Sequence, residues 1–399
     1  MNPLSAPSSR FHAFTKVVVL FSVLLIWWGA ATTTKDAGMV FADWPLSLGS
    51  VNPPKWLSHM VPFLEHSHRL LATLVGLLVL ALFGWAYVRS LPRALELVGL
   101  VVLLAVVFGL YIAAGAERLD PERKASLMAN AAGSSLLPLG WLAWSWWGRR
   151  WTVLEKLCAL ALLTVTAQAI LGGLRVTEIS DTFAVLHGCL GQFFFCLLVL
   201  IVMSSSERWR DTAFAAAPDG RPSLDRRSLS LVRLGGAGLL AMISCQLLLG
   251  AWMRHHHRFG LVDEGLLKTQ GAWIPPFEDS NIAAMFLHKA FALGILLFLV
   301  GLVLKLSGAG PTAAGSRKPA IRHLLAVLVF ILAQIALGLS VIATGKQFWV
   351  TNFHVLNGLL ILASIFAFVV RAWWRPRPAL PAAVPAGAAA PEGEGEGAT

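Results

Sequence analysis

The sequence predicts an all-α integral membrane protein: two pseudo-repeated four-helix transmembrane bundles plus an inserted two-helix hairpin, about ten spans in all. Three observations predict this. Hydrophobic residues make up 57% of the 399 residues and charged residues only 13%, with a mean hydropathy of +0.70. That is more apolar surface than a soluble domain of this size hides. The apolar residues also fall in runs of roughly 20, the length at which a helix crosses the hydrocarbon core. Inside lipid such a run must satisfy its own backbone hydrogen bonds, which a helix does and an open strand does not. Finally, segments bearing histidine and glutamine recur at matching intervals in the two halves of the chain.

The apolar runs place spans at 15–34, 64–89, 94–115, 126–147, 155–174, 184–203, 231–253, 283–306, 321–343 and 353–371. The first run is long and has no early small-residue cleavage site, so it predicts a span and not a cleaved leader. Residues 1–14 are then a short N-terminal segment, 15–203 a first bundle, 204–230 a linker and 231–371 a second bundle. Residues 372–399, mostly Pro, Ala, Gly and Glu, cannot bury a core and predict a disordered tail. With the N-terminus inside, 20 of the 32 lysines and arginines lie on inner segments. The positive-inside rule therefore puts both termini in the cytoplasm, as expected for a multi-pass protein of a cell inner membrane. The same distribution explains the net charge of +11 without nucleic acid, since no basic stripe is interleaved with aromatic residues. Cys158, Cys189, Cys196 and Cys245 all lie in or beside apolar runs, and no Cys-x-x-Cys-His motif is present. Loop disulfides and covalent haem attachment through that motif are thereby disfavoured.

The repeat is read from Gln168 to His187 and from Gln334 to His354, intervals of 19 and 20 residues. His68 opens an earlier span in the first half, as His288 does in the second. His68 to His187 is 119 residues and His288 to His354 is 66, an excess of 53 that equals two spans with short loops. The runs at 94–147 are therefore an inserted hairpin, which preserves the orientation of everything after it and either shields the first bundle from lipid or docks a partner. His68, His187, His288 and His354 each fall early in a span entering from the outer side. Two imidazoles facing across a four-helix bundle form an axial pair for haem iron. Ionisable groups inside a membrane are costly and usually functional, although a single histidine also serves to hydrogen-bond neighbouring helices.

Arg69, Arg175, Arg254, Lys289 and Lys346 lie near the histidine level, where they pair with haem propionates or snorkel to the interface. Glu65 precedes His68 by three residues on the same helix face. It either serves proton transfer and charge stabilisation beside a haem edge or pairs with Arg69. Met285 takes its place in the second half, so the halves are chemically unequal. His255 to His257 read as a solvated loop cluster, because three adjacent histidines cannot all face one metal.

These residues resemble the haem A synthase family: Glu65-x-x-His68-Arg69, Gln168-x-x-x-Gly172-Gly173-Leu174-Arg175, His187, Gln246-x-x-x-Gly250-Ala251-x-x-Arg254, His288, Gln334-x-x-x-Gly338 and His354, with Asp43-Trp44-Pro45 in the first outer loop. The resemblance implies a membrane oxidoreductase that converts the C8 methyl of haem O to a formyl, giving haem A for cytochrome oxidase assembly. It implies haem b held by His288 and His354, with Arg254 and Lys289 at its propionates. It implies substrate haem O held by His68 and His187, with Arg69 and Arg175 at its propionates, and Glu65 as the catalytic carboxylate. A haem O synthase and an electron donor are the implied partners, besides membrane lipid. Two features depart from the family: no cysteine occurs in 31–62, and the hairpin lies outside the eight-span pattern. The rival expectations are a duplicated diheme electron-transfer protein and a haem carrier without chemistry.

Overall fold

The computed structural model describes residues 8–115, 120–148, 151–206, 224–256, 266–308 and 317–373. The expected tail and much of the expected linker lie outside the described residues, as does His257. Eleven helices are described: α1 (Ser9–Thr34), α2 (Met60–Tyr87), α3 (Leu91–Ala114), α4 (Pro121–Ser134), α5 (Leu136–Gly148), α6 (Val153–Thr177), α7 (Asp181–Ser205), α8 (Arg226–His255), α9 (Ser280–Gly308), α10 (Lys318–Ala343) and α11 (Phe348–Trp373). All but α4 and α5 are long and apolar enough to cross a membrane, with lengths of 24–30 residues. At 1.5 Å per residue they reach about 36–45 Å, more than the roughly 30 Å hydrocarbon core. The protein is a multi-pass, all-helical membrane protein.

The span expected at 126–147 forms as two helices, α4 and α5, of 14 and 13 residues. They meet at Ser135, which keeps helical dihedrals of φ −65° and ψ −19°. Pro138, three residues later, has no N–H to give the Ser134 carbonyl, so the helix is interrupted there. Elsewhere helix starts follow their caps. Ser8, Ser180 and Asp225 each accept from the backbone N–H three residues on, and Thr152 with Glu155 forms a full capping box.

The packing is a repeat. In the first half α1 packs on α2, α2 on α6, α6 on α7 and α7 back on α1. In the second, α8 packs on α9, α9 on α10, α10 on α11 and α11 back on α8. Each ring has its own apolar core, around Val79, Leu82 and Leu198 in one and Leu239, Leu299 and Ile365 in the other. The rings meet where α1 and α7 contact α11 and where α7 contacts α8. Phe195, Leu359 and Ala363 fill that seam.

Helices α3 to α5 are the inserted hairpin, lying outside the first ring against α2 and α6. It is tied at both ends. At the end away from the histidines, Arg93 donates to Glu155 at 2.6 Å, while the Tyr87 hydroxyl donates to Glu96. Near the histidines, Phe108 packs on Trp44 with ring centroids 4.7 Å apart, and Lys124 pairs with Glu178 at 2.8 Å. The outer face of α3 (Leu91, Leu95, Val98, Val102, Val106) is exposed to what a bilayer would supply.

Glu155 caps α6 and also neutralises Arg93, and its side chain is 3% exposed. Replacing it with Ala removes the cap and leaves a partly buried cation unpaired, a loss of about 2 kcal/mol. Thermal unfolding in detergent is expected to show a clearly lower midpoint for Glu155→Ala, and a smaller drop for Thr152→Ala.

Candidate functional site: four histidines seated on glycines

The repeat places the histidines at matched depth. His68 and His288 lie eight residues beyond the first residue of α2 and α9. His187 and His354 lie six beyond the first residue of α7 and α11. Each ring lies across the neighbouring helix at a glycine. A Cβ on Gly29 would stand 3.0 Å from Cε1 of His68, and one on Gly172, Gly250 or Gly338 would stand 3.2 Å from Cε1 of His187, His288 or His354. A Cβ at these points would press on the ring more closely than ordinary van der Waals contact, so glycine lets the imidazole approach the helix. His68 and His187 lie within electrostatic reach of each other, as do His288 and His354.

Glutamines brace three of the four seats, one helical turn before the glycine. Gln168 donates to the backbone oxygen of His187 at 3.0 Å, and Gln246 donates to that of His288 at 2.9 Å. Gln334 instead meets His354 Nε2 at 3.2 Å, while its own Oε1 accepts from Asn357 at 2.8 Å. Leu25 stands at the equivalent place below Gly29. Nδ1 of His187 meets the Gln168 carbonyl at 3.1 Å, whereas the buried Nδ1 atoms of His68, His288 and His354 have no hydrogen-bond partner. Imidazoles held edge-on by backbone, with a ring nitrogen left over, are the donor set that haem iron takes. The residues fit that group. Among the described residues no cluster of three or more His, Cys, Asp or Glu could hold a bare metal ion.

Glu65 is 3% exposed and fully engaged. Its Oε2 accepts from the amides of Val40 at 2.7 Å and Phe41 at 3.3 Å, and its Oε1 pairs with Arg69. Arg69 in turn donates to the carbonyls of Phe41, Asp43 and Leu46. The pair therefore pins the loop 37–59 over the first ring. His66 assists, with ring nitrogens 2.9 Å from Ser47 Oγ and from the Val51 carbonyl. Lys289 donates to the Lys268 carbonyl at 2.9 Å in the corresponding second loop. Both loops carry the same bridged turn, Ser47 to Ser50 and Thr269 to Ala272, whose central residues have positive φ. Arg175 lies over Gly38, and Arg254 donates to Ala30 and Thr34.

His255 corrects the expectation of a solvated loop cluster. It ends α8, is buried, and lies beside Gly188, the residue after His187. His256 turns away and stacks on Trp252, with centroids 3.7 Å apart. All four cysteines are free.

The family model described as cytochrome oxidase assembly protein, COX15-CtaA, matches residues 128–366. The chain belongs to this family. The matched region takes in His187, His288 and His354 with their glycines, and it begins after His68 and Glu65. A heme A synthase of Sphingopyxis alaskensis is 27% identical over 197 residues, covering 44% of this chain and 48% of that protein. A protoheme IX farnesyltransferase of Haloarcula marismortui is 30% identical over 140 residues, 34% of this chain and 29% of that protein. The chain thus spans less than half the length of either relative.

The resemblance drew attention to Gly172, Gly250 and Gly338, but Gly29 was not legible as their fourth member. Its spacing carried the information: Gly29 precedes His68 by 39 residues, and Gly250 precedes His288 by 38. A branched side chain at a seat displaces the ring, whereas Gly301 faces open space. In purified protein loaded with haem, Gly338→Val is expected to abolish or broaden the part of the low-spin absorbance band that belongs to the second pair, and Gly301→Val to leave the band intact.

Proposed function

We propose that the protein is a haem A synthase-like oxidoreductase. It would hold haem O between His68 and His187, oxidise the C8 methyl to a formyl, and supply haem A for cytochrome oxidase. Haem b between His288 and His354 would be the resident redox cofactor. The observation that carries this reading is the fourfold repetition of a histidine seated on a neighbour-helix glycine, in a member of the cytochrome oxidase assembly family. When bound, haem iron supplies electron exchange at each site.

The chain's own residues do the rest. The glycine seats fix each imbidazole plane through backbone contact, and the glutamines hold the histidine-bearing helices in register. Gln334 would turn from the His354 ring to its backbone carbonyl, as Gln168 and Gln246 do, freeing Nε2 for iron. Glu65 and Arg69 hold the loop with Trp44 over the first site and exclude water from it. Glu65 also brings a carboxylate to this side of the first site alone, where it would give or take the protons exchanged as a methyl becomes a formyl. An electron acceptor or donor and a haem O synthase would be the partners. The name of the Haloarcula relative supports proximity to haem prenylation chemistry. The protein would lie in a cell inner membrane with both termini in the cytoplasm, bundles at 15–203 and 231–371, and a linker between them.

One observation favours a second reading. Glu65 is saturated by Arg69 and two loop amides, so its role is satisfied structurally without chemistry. In that case the protein is a diheme electron carrier or haem carrier.

Extracted pigments separate the two. With haem O supplied, intact protein is expected to yield haem A or its hydroxylated precursor, and Glu65→Gln to yield neither while keeping its low-spin spectrum. His288→Ala or His354→Ala should lose the stable b-type spectrum. His68→Ala or His187→Ala should keep much of it and stop product formation. Unchanged haem O in the intact protein would favour the carrier reading.

A further inference from the structure

Two guanidinium groups lie near one another at the histidine end of the protein, one from each half. Arg254, in the last turn of α8, crosses to the first half: its Nη2 donates to the Ala30 carbonyl at 2.6 Å and to Thr34 Oγ1 at 2.8 Å. Arg175, in the last turn of α6, lies over Gly38, where a Cβ would stand 2.8 Å from its Nη2. The two cations are within electrostatic reach of each other. Arg175 also reaches His68 and His187, and Arg254 reaches His354. Asp36 acts on both, yet among the described residues neither arginine forms a carboxylate ion pair within 4.0 Å. Two like charges within reach of each other and only partly exposed repel, and a bound anion offsets that repulsion.

A second observation points to a ligand. Asn352 of α11 is fully buried; its Oδ1 accepts at 3.1 Å from Thr34 Oγ1, which Arg254 also meets, but its amide nitrogen Nδ2 has no partner. Buried amide groups are normally satisfied, so this donor points to an acceptor supplied from outside the chain.

The repeat gives a third, independent indication. Arg254 follows the glycine seat of α8 by four residues, and the same place in α1 is Thr33. Arg175 follows the glycine seat of α6 by three, and the same place in α10 is Val341. Each half therefore lacks the cation that the other supplies.

We propose that Arg175, Arg254 and Asn352 form a single carboxylate-binding site, shared by the two halves at their seam, which takes propionate groups from the haem of either ring. This rests on the bis-histidine reading of the two rings. It replaces the expectation of separate propionate contacts for each haem. Arg69 and Lys289, whose donors go to loop carbonyls, stand outside it.

The test uses the full chain in detergent, titrated with haem b and with its dimethyl ester, which has the same ring and iron but no anionic carboxylates. Binding is followed by the low-spin absorbance band. A His288→Ala background reports the first-half site, and a His68→Ala background reports the second. Intact arginines should favour haem over the ester by about tenfold at each site. Arg254→Gln and Arg175→Gln should each reduce that preference at both sites, and Arg254→Lys should retain part of it. If each arginine affects only the site of its own half, the shared site is wrong. If the unsubstituted arginines show no preference for haem, the anion is not a propionate, and a lipid phosphate becomes its source. Failure of any histidine pair to bind either compound would instead overturn the bis-histidine reading itself.

Discussion

The structure depends on how closely a helix backbone lets a histidine ring approach. At Gly29, Gly172, Gly250 and Gly338 the imidazole of the adjacent helix comes within 3.0–3.2 Å of where a Cβ would stand. Those contacts set the distance between α1 and α2, α6 and α7, α8 and α9, and α10 and α11. In lipid no hydrophobic force drives helices together, so small residues and polar contacts decide which surfaces meet. Each seat supplies both. A glutamine stands one turn away from three of them: Gln168 and Gln246 bond the histidine's own backbone and resist sliding of one helix along the other, while Gln334 bonds the His354 ring.

Duplication places one seat design in two different surroundings. The two rings share packing, histidine depth and a bridged turn in the loop that follows the first helix of each ring. They differ in what surrounds the pair. The first ring carries Glu65, Arg69 and His66 beneath its loop; the second has Met285, Lys289 and Phe286 at those places. The first ring is also flanked by the hairpin, which reaches the loop through Phe108 and Trp44, while Trp44 in turn covers Gly173 beside a histidine seat. The hairpin thereby reaches, through Trp44, the helix that carries the His187 seat.

Span positions, the duplication and the hairpin were legible because apolar run length and residue spacing are one-dimensional quantities, and helices in lipid obey them closely. The interruption at Ser135 was not, because the polar residues before it (Ser126, Asn130, Ser134) are uncharged and let 126 to 147 pass as one span, and hydropathy does not register the missing N–H of Pro138. The matched depth of the four histidines followed from their places in the spans. That each rests on a glycine required knowing which helices are neighbours. His255 misled for a different reason: a run of histidines after an apolar span reads as loop, but α8 extends two residues further than its apolar pattern and buries the first of them. Glu65 was legible as unusual, and its pairing with Arg69 as one of two options. The two loop amides that complete its coordination lie 24 and 25 residues away, beyond any helical periodicity.

The central claim is that each ring holds one haem between two histidines. Electron paramagnetic resonance of the oxidised, haem-saturated protein tests it most directly. Two low-spin signals of bis-imidazole type are predicted, one lost in His68→Ala and the other in His288→Ala. A single signal, or signals that survive in both variants, would contradict the account.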